Sequence, residues 1–371
     1  MSFKEIFCQD RAIDTLQRAF AAGKWAHAYI FAGIEGVGKF KTALEWAKLL
    51  GCAEPVTKDG FAESCGSCDS CRLFDAESSP DFHHIYKELL EFTKGNQDKK
   101  TPRDLSIDVI RELLIAKVPA RPTVSQRKVF VVSESEKLNA SSQNALLKVL
   151  EEPPEYCCII LLCTRMERLL PTTKSRCQTV RFGPIDKSRI IEKLGDMGLE
   201  QEQARYFARL AEGSLGSACR WAELELADAN LFETGRQISA GLASLETAEA
   251  LNMAAKLVVD SKRIATVWAE LDKNTSKTDI NRRATGTLLR MIIRNLHDAM
   301  IFGAGAVDET IGRDQLNSIK KLSGRYDAER AAEMISECYR MLHWIESNVN
   351  EKLIFEQLLL SLADSDKMPV L

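Results

Sequence analysis

The sequence lacks a surplus of charge of either sign. Its 371 residues carry 50 lysines and arginines against 53 aspartates and glutamates, a formal net charge of −3. A protein that coats nucleic acid through its overall charge is strongly basic, so that class is excluded. A long uninterrupted apolar run is also missing, and none follows Met1-Ser2-Phe3-Lys4. These absences predict a cytoplasmic protein with no membrane association.

Disulfides do not explain the 11 cysteines of such a chain, because the cytoplasm keeps thiols reduced. Cys157, Cys158 and Cys163 lie in one apolar run, where a thiol behaves as a small hydrophobic group in a buried strand. We therefore expect these three cysteines in the core. Four others are clustered within twenty residues and need a separate explanation.

The clustered cysteines have the spacing of a metal site: Cys52-x12-Cys65-x2-Cys68-x2-Cys71. Two neighbouring thiolates at x2 spacing can reach one ion, and four thiolates close a tetrahedron around Zn²⁺ with no open position for catalysis. The pattern predicts a structural zinc site. A redox pair, an iron–sulfur cluster, or a site in which His83 or His84 replaces one cysteine are the alternatives.

The first half of the chain alternates strand-like and helix-like segments, which is typical of an α/β domain with a largely parallel sheet. Predicted strands cover 28–32, 128–132, 159–163 and 179–182, and predicted helices cover 41–50, 109–115 and 141–150. Gly183-Pro184 ends this pattern, and helical spacing follows to Leu371. Within it, Arg283, Arg290 and Arg294 are interpreted as a solvated helix face.

A phosphate-binding loop lies between the first predicted strand and the next helix. Residues 33–39 read G-x-x-x-x-G-K with an additional glycine, in the strand–loop–helix context that this motif requires. Glycines let successive backbone N–H groups turn toward a phosphate chain, and the lysine reaches the terminal phosphates. The nucleotide-binding candidates are Gly33, Gly36, Gly38 and Lys39.

The metal-binding part of this motif is defective. Phe40 occupies the position whose Ser or Thr hydroxyl ligates Mg²⁺, and Thr42, about 200° further round the helix, is a poor substitute. Ser133 follows the strand at 128–132 where a metal-binding aspartate is expected, although Glu134 is kept for orienting water. Because hydrolysis depends on positioning and metal-assisted charge neutralisation, we expect no Mg²⁺-dependent hydrolysis. The sequence leaves open whether ATP or ADP binds or the glycine-rich turn serves only in packing.

Several motifs in combination resemble the bacterial clamp-loader AAA+ subunits. The resemblance is strong over residues 5–225 and weak at 348–353. The motifs that carry it are His27-Ala28-Tyr29, the four-cysteine insertion, Asn144-Ala145-Leu146-Leu147-Lys148-Val149-Leu150-Glu151-Glu152-Pro153-Pro154, Leu170-Pro171 and Ser175-Arg176-Cys177.

The resemblance implies a three-part architecture. Residues 1–183 would form an AAA+ P-loop domain with a parallel sheet and a zinc module at about 52–71. Residues 184–225 would form a small helical lid, and residues 226–371 an all-α collar for oligomerisation.

The resemblance also implies a role in loading the sliding clamp onto primed DNA during replication. Phe40, Ser133 and Gly216 depart from the hydrolysing gamma/tau motor, whereas Arg176 is intact and would act as an arginine finger in trans. The implied partners are gamma/tau and delta subunits, with the clamp and primer–template DNA reached through the assembly. Alternatives are an active gamma/tau-like ATPase and a zinc-dependent nucleic-acid-binding protein with a relic P-loop.

Overall fold

The computed structural model of the protein describes residues 2–58, 60–94, 104–273, 275–306, 313–346 and 349–363. The chain forms two compact units, Met1–Ile185 and Asp186–Leu371. A separation of residues 184–225 from residues 226–371 stays a prediction.

The first unit is built on a parallel sheet of five strands in the order β4-β5-β6-β1-β7 within the described residues. A short antiparallel hairpin, β2-β3, lies outside it. The strands are β1 Ala28–Ala32, β2 Val56–Lys58, β3 Phe61–Glu63, β4 Phe82–Ile85, β5 Lys128–Val132, β6 Cys157–Cys163 and β7 Gln178–Arg181.

Helices cover both faces of this sheet. They are α1 Asp10–Ala21, α2 Lys39–Gly51, α3 Asp69–Asp75, α4 Ile107–Val109, α5 Ala140–Glu151 and α6 Pro171–Lys174. Helix α4 continues as a π-turn over Ile110–Leu114 and a 3₁₀ turn over Ile115–Lys117. The segment predicted as a helix at 109–115 is therefore helical, but most of it is a π-turn, which is wider than an α-helix.

Alternate strand residues feed two separate hydrophobic clusters. Ile30, Phe130 and Ile159 pack on the face covered by α4 and α5. Tyr29 and Val131 point to the opposite face, which α1 and α2 cover. A strand buried on both faces reads as a continuous apolar run, which is why β1, β5 and β6 were predictable.

All three cysteines of the apolar run are buried, which confirms their assignment to the core. Cys157 and Cys163 belong to one cluster and Cys158 to the other. Burial raises the pKa of Cys157 to about 12 and that of Cys163 to about 11. These thiols are therefore uncharged at neutral pH and inert.

The second unit is helical throughout its described residues, as expected. Its helices are α7 Lys187–Asp196, α8 Gln201–Leu210, α9 Leu215–Leu226, α10 Leu231–Ala243, α11 Thr247–Leu271, α12 Lys277–Gly303, α13 Arg313–Arg325, α14 Ala328–Glu346 and α15 Glu351–Ala363. Helix α12 packs against α11, α13 and α14.

The solvated-face interpretation of the α12 arginines is wrong for Arg294. Arg283 and Arg290 are exposed, but Arg294 is only 7% exposed and pairs with the equally buried Asp298. Arg209 from α8 faces the same carboxylate at 3.4 Å. A buried charge needs such partners, and helical spacing does not reveal them.

The weak C-terminal motif has a local structural account. Asn350 caps α15, its side-chain oxygen accepting from Lys352 N at 2.9 Å. The Glu351 carboxylate accepts from the hydroxyls of Thr285 (2.9 Å) and Ser261 (3.4 Å), which joins α15 to α12 and α11. Asn348, the first residue of the motif, lies outside the described residues.

Candidate functional site: a phosphate loop without its metal ligands

The phosphate loop lies at the carboxyl end of β1, as the sequence predicts. Gly36 and Gly38 have φ of 75° and 103°, in the left-handed region that glycine adopts without strain. Gly33 is required for a different reason, since a Cβ there would lie 2.5 Å from Phe182 O. The loop is thus fixed by its own turns and by contact with the residue that follows β7.

Lys39 points back into the loop. Its ammonium donates to the carbonyl oxygens of Gly33 and Ile34, each at 2.7 Å, and the residue is 8% exposed. Burial lowers the pKa of Lys39, and the nearby carboxylates of Glu136 and Glu35 oppose that shift. A phosphate that binds in this loop would have to take the Lys39 ammonium from these two carbonyl acceptors.

Phe40 and Ser133, which stand at the two sequence positions expected to ligate Mg²⁺, both contact His84, and we call these three side chains the Phe40–His84–Ser133 cluster. The ring of Phe40 lies against His84 with centroids 4.7 Å apart. His84 Nε2 is hydrogen-bonded with Ser133 Oγ at 2.8 Å. Burial lowers the pKa of His84 to about 4, so the imidazole is neutral at pH 7. A divalent cation would meet no carboxylate in this cluster.

Two other residues near the expected metal site, Thr42 and Glu134, make hydrogen bonds or ion pairs with other parts of the chain. Thr42 is fully buried and its hydroxyl donates to Gly38 O at 2.9 Å. Glu134 adopts a left-handed backbone with φ of 50° and is ion-paired with Lys137 and, at 4.0 Å, with Lys87. Its role in orienting water stays a prediction.

Sequence reasoning missed two parts of this site. His84 lies on β4, a strand whose His83-His84 pair interrupts the apolar pattern. The second part is Glu136, whose carboxylate acts to raise the pKa of Lys39. This carboxylate accepts hydrogen bonds from the backbone N of Thr164 at 3.2 Å and from the Thr164 hydroxyl. The available signal was position alone: Thr164 directly follows β6, so it lies at the same sheet edge as the loop.

The four clustered cysteines converge as predicted. The sulfurs of Cys52, Cys65, Cys68 and Cys71 all lie within 4.8 Å of one another, with Cys52–Cys68 and Cys65–Cys71 each 4.0 Å apart. A tetrahedron with metal–sulfur distances of about 2.3 Å has edges of about 3.8 Å. The donor set therefore fits a closed four-thiolate site.

Backbone donors favour the thiolate of Cys65, whereas burial raises the pKa of Cys52 and of Cys71. Cys65 Sγ accepts from Ser67 N at 3.5 Å and from Cys68 N at 3.3 Å. These hydrogen bonds, that from Ser67 first, lower the pKa of Cys65 to about 6. His83 and His84 lie on β4 and are absent from the group, so among the described residues neither replaces a cysteine.

The cysteine cluster is tied into the P-loop unit on two sides. Hairpin β2-β3 connects two of its ligands, and Gln17 of α1 exchanges two hydrogen bonds with Ala62 at 3.0 and 2.7 Å. Lys48 of α2 pairs with Asp75 of α3 at 2.6 Å. The module therefore holds α1, α2 and α3 together, which is a structural role.

Arg176 follows α6 and is held locally. Its Nη2 lies 2.6 Å from Glu151 Oε1, and its Nη1 donates to Thr172 O at 2.9 Å. The side chain is 32% exposed. The arginine is thus both paired with a neighbouring carboxylate, which residue chemistry alone favoured, and open to solvent on one side.

No helix among the described residues combines the length and apolarity needed to cross a membrane.

Two family models match most of the chain. A model of the DNA polymerase III delta subunit matches residues 8–186, and a model of that subunit's C-terminal part matches residues 245–364. The delta' subunit of DNA polymerase III from Bacillus subtilis (strain 168) is 26% identical, over 98% of this chain and 99% of the relative. The chain belongs to the clamp-loader subunits of DNA polymerase III. Within this family it is similar to delta' along its whole length.

A tau subunit and a solved structure are also similar to this chain. The tau subunit from Escherichia coli (strain K12) is 30% identical over 69% of this chain, and the chain spans 38% of that relative. Among solved structures, a gamma-subunit-related protein from Thermotoga maritima is 17% identical over 96% of this chain and 100% of that chain, with a TM-score of 0.41.

Proposed function

We propose that this clamp-loader subunit does not hydrolyse ATP and instead supplies Arg176 to a nucleotide bound on a neighbouring gamma/tau subunit. The observation that carries the first half is the Phe40–His84–Ser133 cluster. The residues at the two expected ligand positions, Phe40 and Ser133, contact a neutral imidazole, which supports the absence of a Mg²⁺ site.

Without the positive charge of a bound Mg²⁺, the rate of ATP hydrolysis should be very low. In phosphoryl transfer the ion bridges phosphate oxygens and neutralises the developing charge, and the protein contributes the positions of its ligands. Here the hydroxyl of Ser133 is bonded with His84, and Thr42 bonds inside its own helix. Glu134 alone, paired with two lysines, does not replace these ligands.

Loss of hydrolysis does not imply loss of nucleotide binding, because the glycines and the lysine of the phosphate loop are present. Gly36, Gly38 and Lys39 keep the geometry that accepts a phosphate chain. We expect ATP or ADP to bind in a manner insensitive to EDTA. Lys39→Ala should abolish that binding, since it removes the cation that faces the terminal phosphates.

The four-cysteine site would hold structural Zn²⁺. Its sulfur separations match a tetrahedron, and four protein ligands leave no position for a substrate. When bound, zinc would supply only cross-linking: Cys52 directly follows α2, and α3 begins after Cys68 and contains Cys71.

The assembly partners would be gamma/tau and delta subunits in the cytoplasm, with the sliding clamp and primer–template DNA engaged by the complex. The near-neutral charge of −3 supports contacts with protein neighbours over strong DNA binding by the isolated chain. Helix α15 supports an assembly role for the second unit, because Leu353 and Leu360 are exposed on one of its faces (58% and 37%).

The test is reconstitution with the gamma/tau and delta subunits of the same organism. Arg176→Ala should reduce DNA-stimulated ATP hydrolysis while the complex still assembles, since arginine fingers contribute about 10³–10⁵ in rate to the sites they serve. Arg181→Ala, an exposed arginine on β7, is the matched control. If the loader with Arg176→Ala hydrolyses ATP at the wild-type rate, Arg176 is not an arginine finger. If the isolated chain hydrolyses ATP with Mg²⁺, the proposal that it does not hydrolyse ATP is contradicted.

A further inference from the structure

The motif Leu150-Glu151-Glu152-Pro153-Pro154 has no role in the function proposed so far, yet one of its side chains contacts Arg176. Glu151 is the last residue of α5. A carboxylate is unfavourable at a helix C-terminus, where the unpaired carbonyl groups already carry partial negative charge. A cation beside it removes this penalty, and the cation present is Arg176 at 2.6 Å.

The contacts of Arg176 fix its guanidinium without using all of its donors. Nη2 pairs with Glu151, and Nη1 donates to Thr172 O at 2.9 Å and to Ser175 Oγ at 3.4 Å. These three contacts use at most three of the five N–H groups of an arginine. With 32% of the side chain exposed, at least two N–H groups are left for an acceptor outside the described chain.

The elements that carry the pair are held in register by one buried side chain. Gln143 of α5 is 2% exposed. Its oxygen accepts from Leu170 N at 2.7 Å, and its amide donates to Arg168 O at 3.2 Å. Helix α5 and the segment leading into α6 are therefore connected, so Glu151 meets Arg176 from a rigid support.

We propose that Glu151 is the positioning residue of the arginine finger: it holds one edge of the Arg176 guanidinium so that the remaining N–H groups face the phosphates of a neighbouring subunit. This inference rests on the proposed trans role of Arg176. A planar guanidinium with one edge bound presents the other in a fixed direction, and less rotamer entropy is lost when it meets its target.

Glu151→Gln tests the pair in the reconstituted loader, because it removes the charge and keeps the size. Removing the residue that orients a metal ligand costs about 10–100-fold in affinity or activity. By analogy, DNA-stimulated hydrolysis at the site served by Arg176 should fall about 10-fold. Glu152→Gln, the adjacent exposed carboxylate, is the matched control and should stay within about twofold. Glu151→Gln added to Arg176→Ala should cause no further loss, because a positioning residue acts only through the arginine.

Four results would overturn the inference. Wild-type hydrolysis with Glu151→Gln means that the contact is incidental, and faster hydrolysis means that Glu151 masks the arginine. A loss that adds to that of Arg176→Ala means that Glu151 is merely structural. If Arg176→Ala leaves ATP hydrolysis unchanged, both the trans role of Arg176 and its positioning by Glu151 are contradicted. If Arg176→Ala slows hydrolysis and Glu151→Gln does not, only the positioning role is contradicted.

A measurement on the isolated chain keeps the inference testable if the variant complex does not assemble. The ¹⁵N relaxation of Arg176 Nε–H should report a rigid side chain in the wild type and in Glu152→Gln, and a mobile one in Glu151→Gln. An equally rigid guanidinium in all three proteins contradicts the proposed contact.

Discussion

Replacing Ser133 by aspartate places a carboxylate next to a neutral histidine. Ser133 Oγ lies 2.8 Å from His84 Nε2, and burial lowers the pKa of His84 to about 4. Two unit charges about 4 Å apart interact by about 4 kcal/mol at an effective dielectric constant of about 20. Since one pKa unit corresponds to about 1.4 kcal/mol, Ser133→Asp should raise the pKa of His84 by about 3 units, to about 7.

The assay is an NMR titration of the His84 ring between pH 3 and 9. Ser133→Asn is the matched control, because it has the size of aspartate without its charge and should leave the pKa near 4. At pH 6 the imidazole should then be charged in Ser133→Asp and neutral in Ser133→Asn.

This result has a functional consequence. The new carboxylate would be paired with histidinium instead of Mg²⁺, so Phe40→Thr combined with Ser133→Asp should not restore hydrolysis while His84 is present. A His84 pKa that stays near 4 in Ser133→Asp would refute the argument that residue 133 contacts the His84 ring. Recovery of Mg²⁺-dependent turnover in the double variant would refute it as well.

Three further perturbations test the framework around the site. Gly33→Ala should lower the free energy of unfolding by about 1–3 kcal/mol in urea denaturation, because its Cβ would lie 2.5 Å from Phe182 O, whereas Gly183→Ala has open space and should be near neutral; equal effects contradict the packing argument. Burial raises the pKa of Asp81, but hydrogen bonds from Ser125, Val124 and Thr123 N, each 2.8 Å long, outweigh it and the net shift is downward. Its stabilising contribution is therefore present above pH about 4 and lost below it, and Asp81→Asn should cost about 1–3 kcal/mol at pH 7 and less at pH 3; a cost that does not depend on pH would exclude the carboxylate. Elemental analysis should find about one zinc ion per chain, lost in Cys65→Ser and kept in Cys219→Ser; zinc retained by Cys65→Ser would contradict the four-thiolate site.

The central strands of the sheet that carries the phosphate loop could be predicted, because a strand buried on both faces is a continuous apolar run in the sequence. The predicted strands at 28–32 and 128–132 coincide with β1 and β5. Strand β4 was missed, since it lies at the sheet edge and contains two histidines. That omission mattered, because His84 is the side chain that explains how Phe40 and Ser133 fit together.

The sequence by itself determined the chemistry that this clamp-loader subunit can offer. A phosphate loop, four cysteines at metal spacing and the loss of two metal ligands are statements about residue type and spacing, which the printed order contains. Tertiary structure decided which side chains meet across long separations. Phe40, His84 and Ser133 are 44 to 93 positions apart, and Glu151 and Arg176 are 25 apart. The physical reason is that strand order and helix packing bring such residues together, and neither leaves a periodic signal at the residues concerned.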